Sequence, residues 1–351
     1  MKYLIVIAGP TASGKTKLGI ELAKHFNTEI LSADSRQFYR EMNIGTAKPK
    51  EEELAEVKHH FVNNLSIHDE YTVGDYEKEA LAILDDIYQT KDVALMVGGS
   101  GLFIQAVCEG LNEFPKVPKE VREELTNAYQ KHGIWILQKE LKEKDPDYYE
   151  EVDKNNHQRL IRALEICRVS DKPYSSFRNQ PKAERDFMPI YVIMDWDREE
   201  LYDRINLRVD IMMRDKLLNE VEELVDYRAL NALQTVGYQE FFSHLEGEYD
   251  VYEAIRLVKR NSRRYAKRQM TWFRKIEEAG FYNPEDIDDI LAFINRKMNG
   301  EPELEEEEFD DFEDDIDIEE NIKDDFNETE ITDDVDDFDF DDFDDFDDFD
   351  D

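Results

Sequence analysis

Only two cysteines occur in the 351-residue chain, Cys108 and Cys167, far apart and with no CxxC spacing. They offer neither a disulfide framework nor a zinc site, and a reducing cytoplasm suits them best. No apolar run approaches the ~20 residues needed to cross a bilayer, and no targeting segment precedes the first apolar run. A soluble cytoplasmic protein without a membrane partner is therefore expected. Basic residues are almost missing from 301–351, where Lys323 stands alone among 31 of the 85 Asp and Glu. About −30 of the −41 formal net charge lies there. The stretch ends in a period-three Asp-Asp-Phe pattern with phenylalanines at 340, 343, 346 and 349, a spacing that keeps no aromatic face on a helix. A disordered acidic Asp/Phe-rich tail over 300–351 is expected. Such a tail would compete electrostatically with a nucleic acid for basic surface elsewhere, an effect that salt weakens.

What the chain does contain begins at its N-terminus. Tyr3 to Ala8 is a short apolar run that reads as a buried strand, and Lys17 to Phe26 reads as a helix. Between them stands Gly9-Pro10-Thr11-Ala12-Ser13-Gly14-Lys15-Thr16, the Gly-x-x-x-x-Gly-Lys-Thr phosphate-loop pattern. In that order the backbone N–H groups and the helix N-terminus surround a di- or triphosphate, with Lys15 as the charge and Thr16 suited to Mg²⁺. Asp34-Ser35-Arg36-Gln37 follows the strand-like Glu29 to Ser32. Asp34 is a candidate general base by position; capping the next helix or holding Mg²⁺ through water are the alternatives.

Gly74 to Thr90 reads as a helix, Val93 to Val97 as a strand, and Gly98-Gly99-Ser100-Gly101 leads into a helical pattern from Leu102 to Gly110. Alternation of strand and helix predicts a parallel α/β sheet, with the phosphate loop, Asp34 and Ser100 emerging at the carboxyl ends of its strands. From Val117 to about Asp171 the pattern is helical and charged, and Phe187 to Trp196 returns a strand, followed by more helix from Glu199 to Ala279. The expected organisation is a first core part over 1–114, a helical insertion over 115–185, core completion with C-terminal helices over 186–299, and the tail. The adjacent His59 and His60 point in different directions on any regular element, which makes a two-histidine metal site a poor reading.

Lys259 to Lys275 holds eight Lys or Arg and no acid. On a helical wheel Val258, Tyr265, Trp272 and Ile276 share one face, and Arg256, Arg260, Arg264, Lys267 and Arg274 lie roughly opposite. The apolar face suits a core and the basic face a nucleic-acid backbone. Arg208, and the run Gln158-Arg159-Leu160-Ile161-Arg162, read equally well as salt-bridged helix faces.

Taken together, the spaced words resemble the tRNA dimethylallyltransferases, also called tRNA isopentenyltransferases. The words are the phosphate loop, Asp34 to Gln37, Gly45-Thr46-Ala47-Lys48-Pro49, His59-His60, Gly98 to Leu102, Arg159 to Glu165, Val236-Gly237-Tyr238 and Tyr265 to Arg274. They span nearly all of residues 1–280, and the tail lies outside them. The resemblance implies an α/β core like that of phosphate-loop nucleoside triphosphatases. It implies transfer of a dimethylallyl group from dimethylallyl diphosphate to N6 of the adenosine at position 37, beside the anticodon, of tRNAs that read codons beginning with U. Diphosphate leaves, and Mg²⁺ assists. It further implies Asp34 as the base, with Ser100, Lys15 and Thr16 in catalysis, Thr16 also near the metal. Gly9 to Thr16 and Arg208 would hold the diphosphate. Asp34, Ser35, Arg36, Gln37, Ser100, Arg122 and Gln158 to Arg162 would touch the tRNA anticodon stem-loop. Ser100 stands where most members have Thr, and Asn155-Asn156-His157 departs from the usual run before the arginine helix. Nothing in the sequence demands more than a monomer.

Overall fold

The computed structural model describes residues 1–178 and 180–301; the acidic tail expected over 300–351 lies outside these beyond residue 301. In chain order the elements begin with β1 (Lys2–Ala8), α1 (Lys15–His25), β2 (Ile30–Ala33), α2 (Glu51–Glu56), β3 (His59–His60), α3 (Val73–Tyr88), β4 (Val93–Gly98) and α4 (Gly101–Glu109). Four helices follow: α5 (Lys119–His132), α6 (Trp135–Lys144), α7 (Pro146–Glu151) and α8 (His157–Ser170). Then come β5 (Phe187–Met194), α9 (Arg198–Arg214), α10 (Leu217–Leu224), α11 (Gln239–Leu245), α12 (Val251–Phe273), β6 (Gly280–Tyr282) and α13 (Ile287–Asn299).

The six strands form one sheet in the order β3-β2-β4-β1-β5-β6, every pair parallel. A parallel strand covered on both faces is apolar without alternation, and β1 is buried at each position from Tyr3 to Ala8. Its side chains divide by parity. Leu4, Val6 and Ala8 join the cluster that includes Tyr76, Phe103, Val258 and Phe273, beneath α3, α4 and α12. Tyr3, Ile5 and Ile7 join Leu18, Leu22, Ile290 and Ile294 beneath α1 and α13. Each fully buried Leu or Ile contributes roughly 1.5–3 kcal/mol, so this one strand anchors both cores. β4 lies beside β1 with Ala8 opposite Gly98, so the loops Gly9–Gly14 and Gly99–Ser100 leave the sheet side by side.

The sheet and the expected strands agree closely, with β2 shifted by one residue so that Asp34 is the first residue beyond the strand. The sequence reading did not anticipate β3, β6, α2 or α13. The stretch read as helical from Glu199 to Ala279 holds several helices, α9 and α10 being separated where Lys216 adopts a left-handed φ of 72°.

α5 to α8 pack around a cluster of their own, Leu125, Leu137, Leu141, Tyr148, Leu160, Ile161 and Leu164. Asp145 ties this group together: fully buried, it caps α7 by accepting from the Tyr148 N–H at 3.0 Å and receives the Ser175 N–H at 2.6 Å. Glu165, 1% exposed, accepts from Arg122 Nε at 2.6 Å and lies 3.6 Å from the equally enclosed Arg162. Removing a buried carboxylate strands its cations. Glu165→Ala is therefore expected to cost about 3 kcal/mol of stability and Glu165→Gln less, read as the urea midpoint of unfolding.

Candidate active site

Between β1 and α1 the backbone adopts positive φ at Gly9 (144°), Ala12 (64°) and Gly14 (90°). Alternation of this kind turns successive N–H groups toward one concave side and forms a nest for an anion. α1 then opens at Lys15 with no side-chain cap, adding the partial positive charge of its first turn. The outer side of the loop is held by the distant half of the chain. Trp196 Nε1 donates to the Ser13 carbonyl at 3.0 Å, and Arg204 Nε donates to the Ala12 carbonyl at 3.0 Å with its guanidinium 4.1 Å over the Trp196 ring. Gln269 Oε1 accepts the Thr11 N–H at 2.9 Å.

Lys15 Nζ bridges within the loop, donating to the Pro10 carbonyl at 2.5 Å. Burial and the nearby Arg208 push its ammonium down to about 7, and Asp34 only partly counteracts them. Burial also lowers Arg208 and Arg36, with Asp34 opposing it in both. Arg36, 9% exposed, donates to the carbonyls of Asn231 at 3.2 Å and Gln234 at 3.4 Å. Two enclosed guanidinium groups and the Lys15 amine thus lie near the Asp34 carboxylate, a basic surplus that suits a polyanionic ligand.

Asp34 stands at the junction of two clefts. One, with about 780 Å³ of empty space, has Thr11, Arg36, Arg208 and Thr46 as polar groups and Ile205, Val209, Met212, Val236 and Val258 as an apolar wall. The other, about 390 Å³, is lined by Lys15, Thr16, Ser32, Gln37 and His59. The Asp34 carboxylate accepts the Arg36 N–H at 3.0 Å, which fixes the turn after β2. Ser100 Oγ accepts the Ser35 N–H at 3.2 Å, joining the β4 loop to the same turn. Asp34, Ser35, Arg36, Gln37, Ser100, Arg208 and the phosphate loop are therefore brought together.

The IPP transferase family matches residues 37–276. The chain is 50% identical over 301 residues to the tRNA dimethylallyltransferase of Flavobacterium johnsoniae, covering 84% of this chain and 97% of that one. It is 52% identical over 298 residues to the tRNA dimethylallyltransferase of Christiangramia forsetii, covering 85% and 99%. Among solved structures, the tRNA isopentenylpyrophosphate transferase of Bacillus halodurans is similar with a TM-score of 0.64 at 35% identity, covering 86% of this chain and 98% of that chain. A eukaryotic dimethylallyltransferase solved while acting on tRNA gives 0.72 at 25% identity, covering 87% and 82%. The chain belongs to the IPP transferase family.

In this IPP transferase other expected contact residues lie apart from the cleft. Leu160 and Ile161 are buried in the α5–α8 cluster, and Arg162 turns inward to Glu165, so these three leave little side-chain surface exposed. Helical periodicity accounts for this, because consecutive residues cannot share one outer face. Gln158 and Arg159, half-buried at the start of α8, lie nearer the surface, and Arg122 is paired with Glu165. His59 and His60 diverge as expected, one bonded to the Val57 carbonyl and the other to Glu29.

Several supporting residues were not singled out from sequence. Glu220 receives the backbone N–H groups of Asn43 (2.9 Å), Ile44 (2.8 Å) and Gly45 (3.0 Å) and the Tyr238 hydroxyl (2.7 Å). It thereby sets the loop whose Thr46 carbonyl accepts from Gln37 and Arg208, each at 3.4 Å. The Gly45 and Val236-Gly237-Tyr238 motifs meet here, since a Cβ at Gly45 would fall 2.5 Å from the Tyr238 ring.

Lys15 gives the site a testable proton linkage. Its depressed value in the free protein means that at pH 8 most of the lysine is neutral, whereas a bound diphosphate restores the ammonium. Affinity for dimethylallyl diphosphate should fall as pH rises above about 7. Calorimetry at pH 8 in buffers of different ionisation enthalpy is expected to read uptake of about half to one proton on binding, and Lys15→Met to abolish it.

Proposed function

We infer that the chain is a tRNA dimethylallyltransferase, transferring a dimethylallyl group from dimethylallyl diphosphate to N6 of adenosine 37. The carrying observation is Asp34, the one carboxylate lining either cleft among the described residues, near Lys15, Arg36 and Arg208 and at the meeting of the phosphate-loop motif and an apolar-walled cleft. The family match and the relatives' names support the same reaction. The N6 lone pair forms a bond to the C1 carbon of the dimethylallyl group as the C1–oxygen bond breaks. The N6 proton passes to Asp34, and the electron pair of the broken bond leaves with the diphosphate. Lys15, Arg208 and the loop N–H groups receive the charge that develops on the departing oxygens, where preorganised donors act most strongly. In this reading Ser100, whose Oγ accepts the Ser35 N–H, and Gln37, in the wall of the second cleft, orient the amine and the adenine edge.

Magnesium fits the donors present. Thr16 offers a hydroxyl beside the loop. No group of three or more His, Cys, Asp or Glu able to hold a metal occurs among the described residues. Magnesium commonly keeps its waters and takes further ligands from substrate phosphates, so a sparse protein donor set is sufficient. When bound, the ion would neutralise diphosphate charge, with Thr16 as the protein group holding it.

The five prenyl carbons find apolar partners in Ile205, Val209, Met212 and Val258. Their burial would contribute up to about 4 kcal/mol, helping to offset the few kcal/mol needed to extrude the adenine from its stack. The exposed basic residues Arg256, Arg264 and Lys267 of α12, with Arg274 at its C-terminal cap, suit the RNA backbone. In this reading the β-sheet domain is a phosphate-loop core, and α5–α8 form the inserted unit that grips the anticodon arm. No helix among the described residues is long and apolar enough to cross a membrane.

With radiolabelled dimethylallyl diphosphate and unmodified tRNA, the wild type should label position 37. Asp34→Asn should reduce kcat by about 10²–10⁴ while tRNA affinity stays within about threefold. An unlabelled tRNA with the wild type would overturn the reading.

A further inference from the structure

α12 touches both substrate regions through one buried amide. Gln269, 5% exposed, accepts the Thr11 N–H of the phosphate loop and donates from Nε2 to the Gly99 carbonyl, both at 2.9 Å. Opposite polarities at the two partners fix the amide orientation. Its neighbours reinforce the clasp. Ala266 packs in one cluster with Ala12 of the loop, and a Cβ at Gly99 or Gly101 would collide with Gln269 at 2.3 Å or with Trp272 at 2.4 Å. Glycine at both positions therefore admits the helix against the Ser100 loop. On the preceding turns of α12, Val258, Ser262 and Tyr265 line the cleft that contains Asp34. Arg264, Lys267 and Arg274 lie exposed on its outer side.

We propose that Gln269 is a positioning residue that couples RNA engagement on the outer face of α12 to the shape of the diphosphate loop. The Thr11 N–H and the Gly99 carbonyl flank the diphosphate nest and Ser100, respectively, so a rigid α12 brings both into register. Ordering the helix with RNA lowers the cost of ordering the loop around diphosphate, and the coupling is reciprocal. Nothing in this link requires Gln269 to touch either substrate. The proposal rests on the reading of this face as RNA-binding.

The test measures the dissociation constant of inorganic diphosphate with and without a saturating unmodified anticodon stem-loop RNA. The wild type is expected to bind diphosphate about tenfold more tightly with the RNA present. Gln269→Met, which can neither accept nor donate these bonds, should reduce that ratio to about twofold or less, with each ligand's separate affinity changed by less than about threefold. Gln269→Glu keeps the acceptor for Thr11 but loses the donor to Gly99, and should also lose most of the coupling. Wild-type coupling in either folded variant overturns the proposal. So does a wild type that binds both ligands independently. A wild type that binds neither ligand instead overturns the functional reading itself. Hydrogen exchange needs no variant: amides of residues 9–16 should exchange more slowly when the stem-loop RNA alone is added, and unchanged exchange contradicts the coupling.

Discussion

Lys15, Arg36 and Arg208 are gathered around the Asp34 carboxylate at the carboxyl edge of a parallel sheet, and burial lowers all three. Enclosing like charges is unfavourable unless a ligand balances them, so the unliganded fold holds this charge against its own electrostatics. What makes it tolerable is the framework: β1 buried on both faces, the loop carbonyls taken up by Trp196 and Arg204, and the Asn43–Gly45 backbone held by Glu220. Each of these contacts contributes stability that offsets the cost of the geometry at the site. In the proposed function, dimethylallyl diphosphate answers both the positive charge and the apolar wall beside it.

The same arrangement explains how a loop widely used for nucleoside triphosphates serves another chemistry. The nest and the helix N-terminus recognise a chain of phosphates irrespective of what it is attached to. Selection of the reaction comes from the groups around it. Asp34 belongs to the turn after β2 and stands at the meeting of two clefts, and in the proposed reaction it accepts the proton of the amine that attacks the carbon side of the leaving group.

Much of this was legible in the chain because the signals are local. The phosphate loop, the Asp34 turn and the Gly98–Gly101 loop each follow an apolar strand whose identity is written in a few adjacent residues. The supporting contacts were not legible, because Gln269 meets Thr11 across 258 positions and Glu220 meets Ile44 across 176. Nothing in the local composition of a glutamine or a glutamate announces such a partner. β3 and β6, two and three residues long, are too short for periodicity to register. For Leu160, Ile161 and Arg162 a contiguous motif concealed a helix whose inner side forms the core of α5–α8. The family resemblance named the segment, and only the fold separates its faces.

The central claim is that the buried positive charge receives a diphosphate leaving group and not a phosphoryl group in transfer. Phosphorus release during turnover on unmodified tRNA tests it directly. Diphosphate should appear in equal amount with N6-dimethylallyladenosine and only when tRNA is present. Release of orthophosphate, or phosphate release from ATP without a prenylated nucleoside, would contradict it.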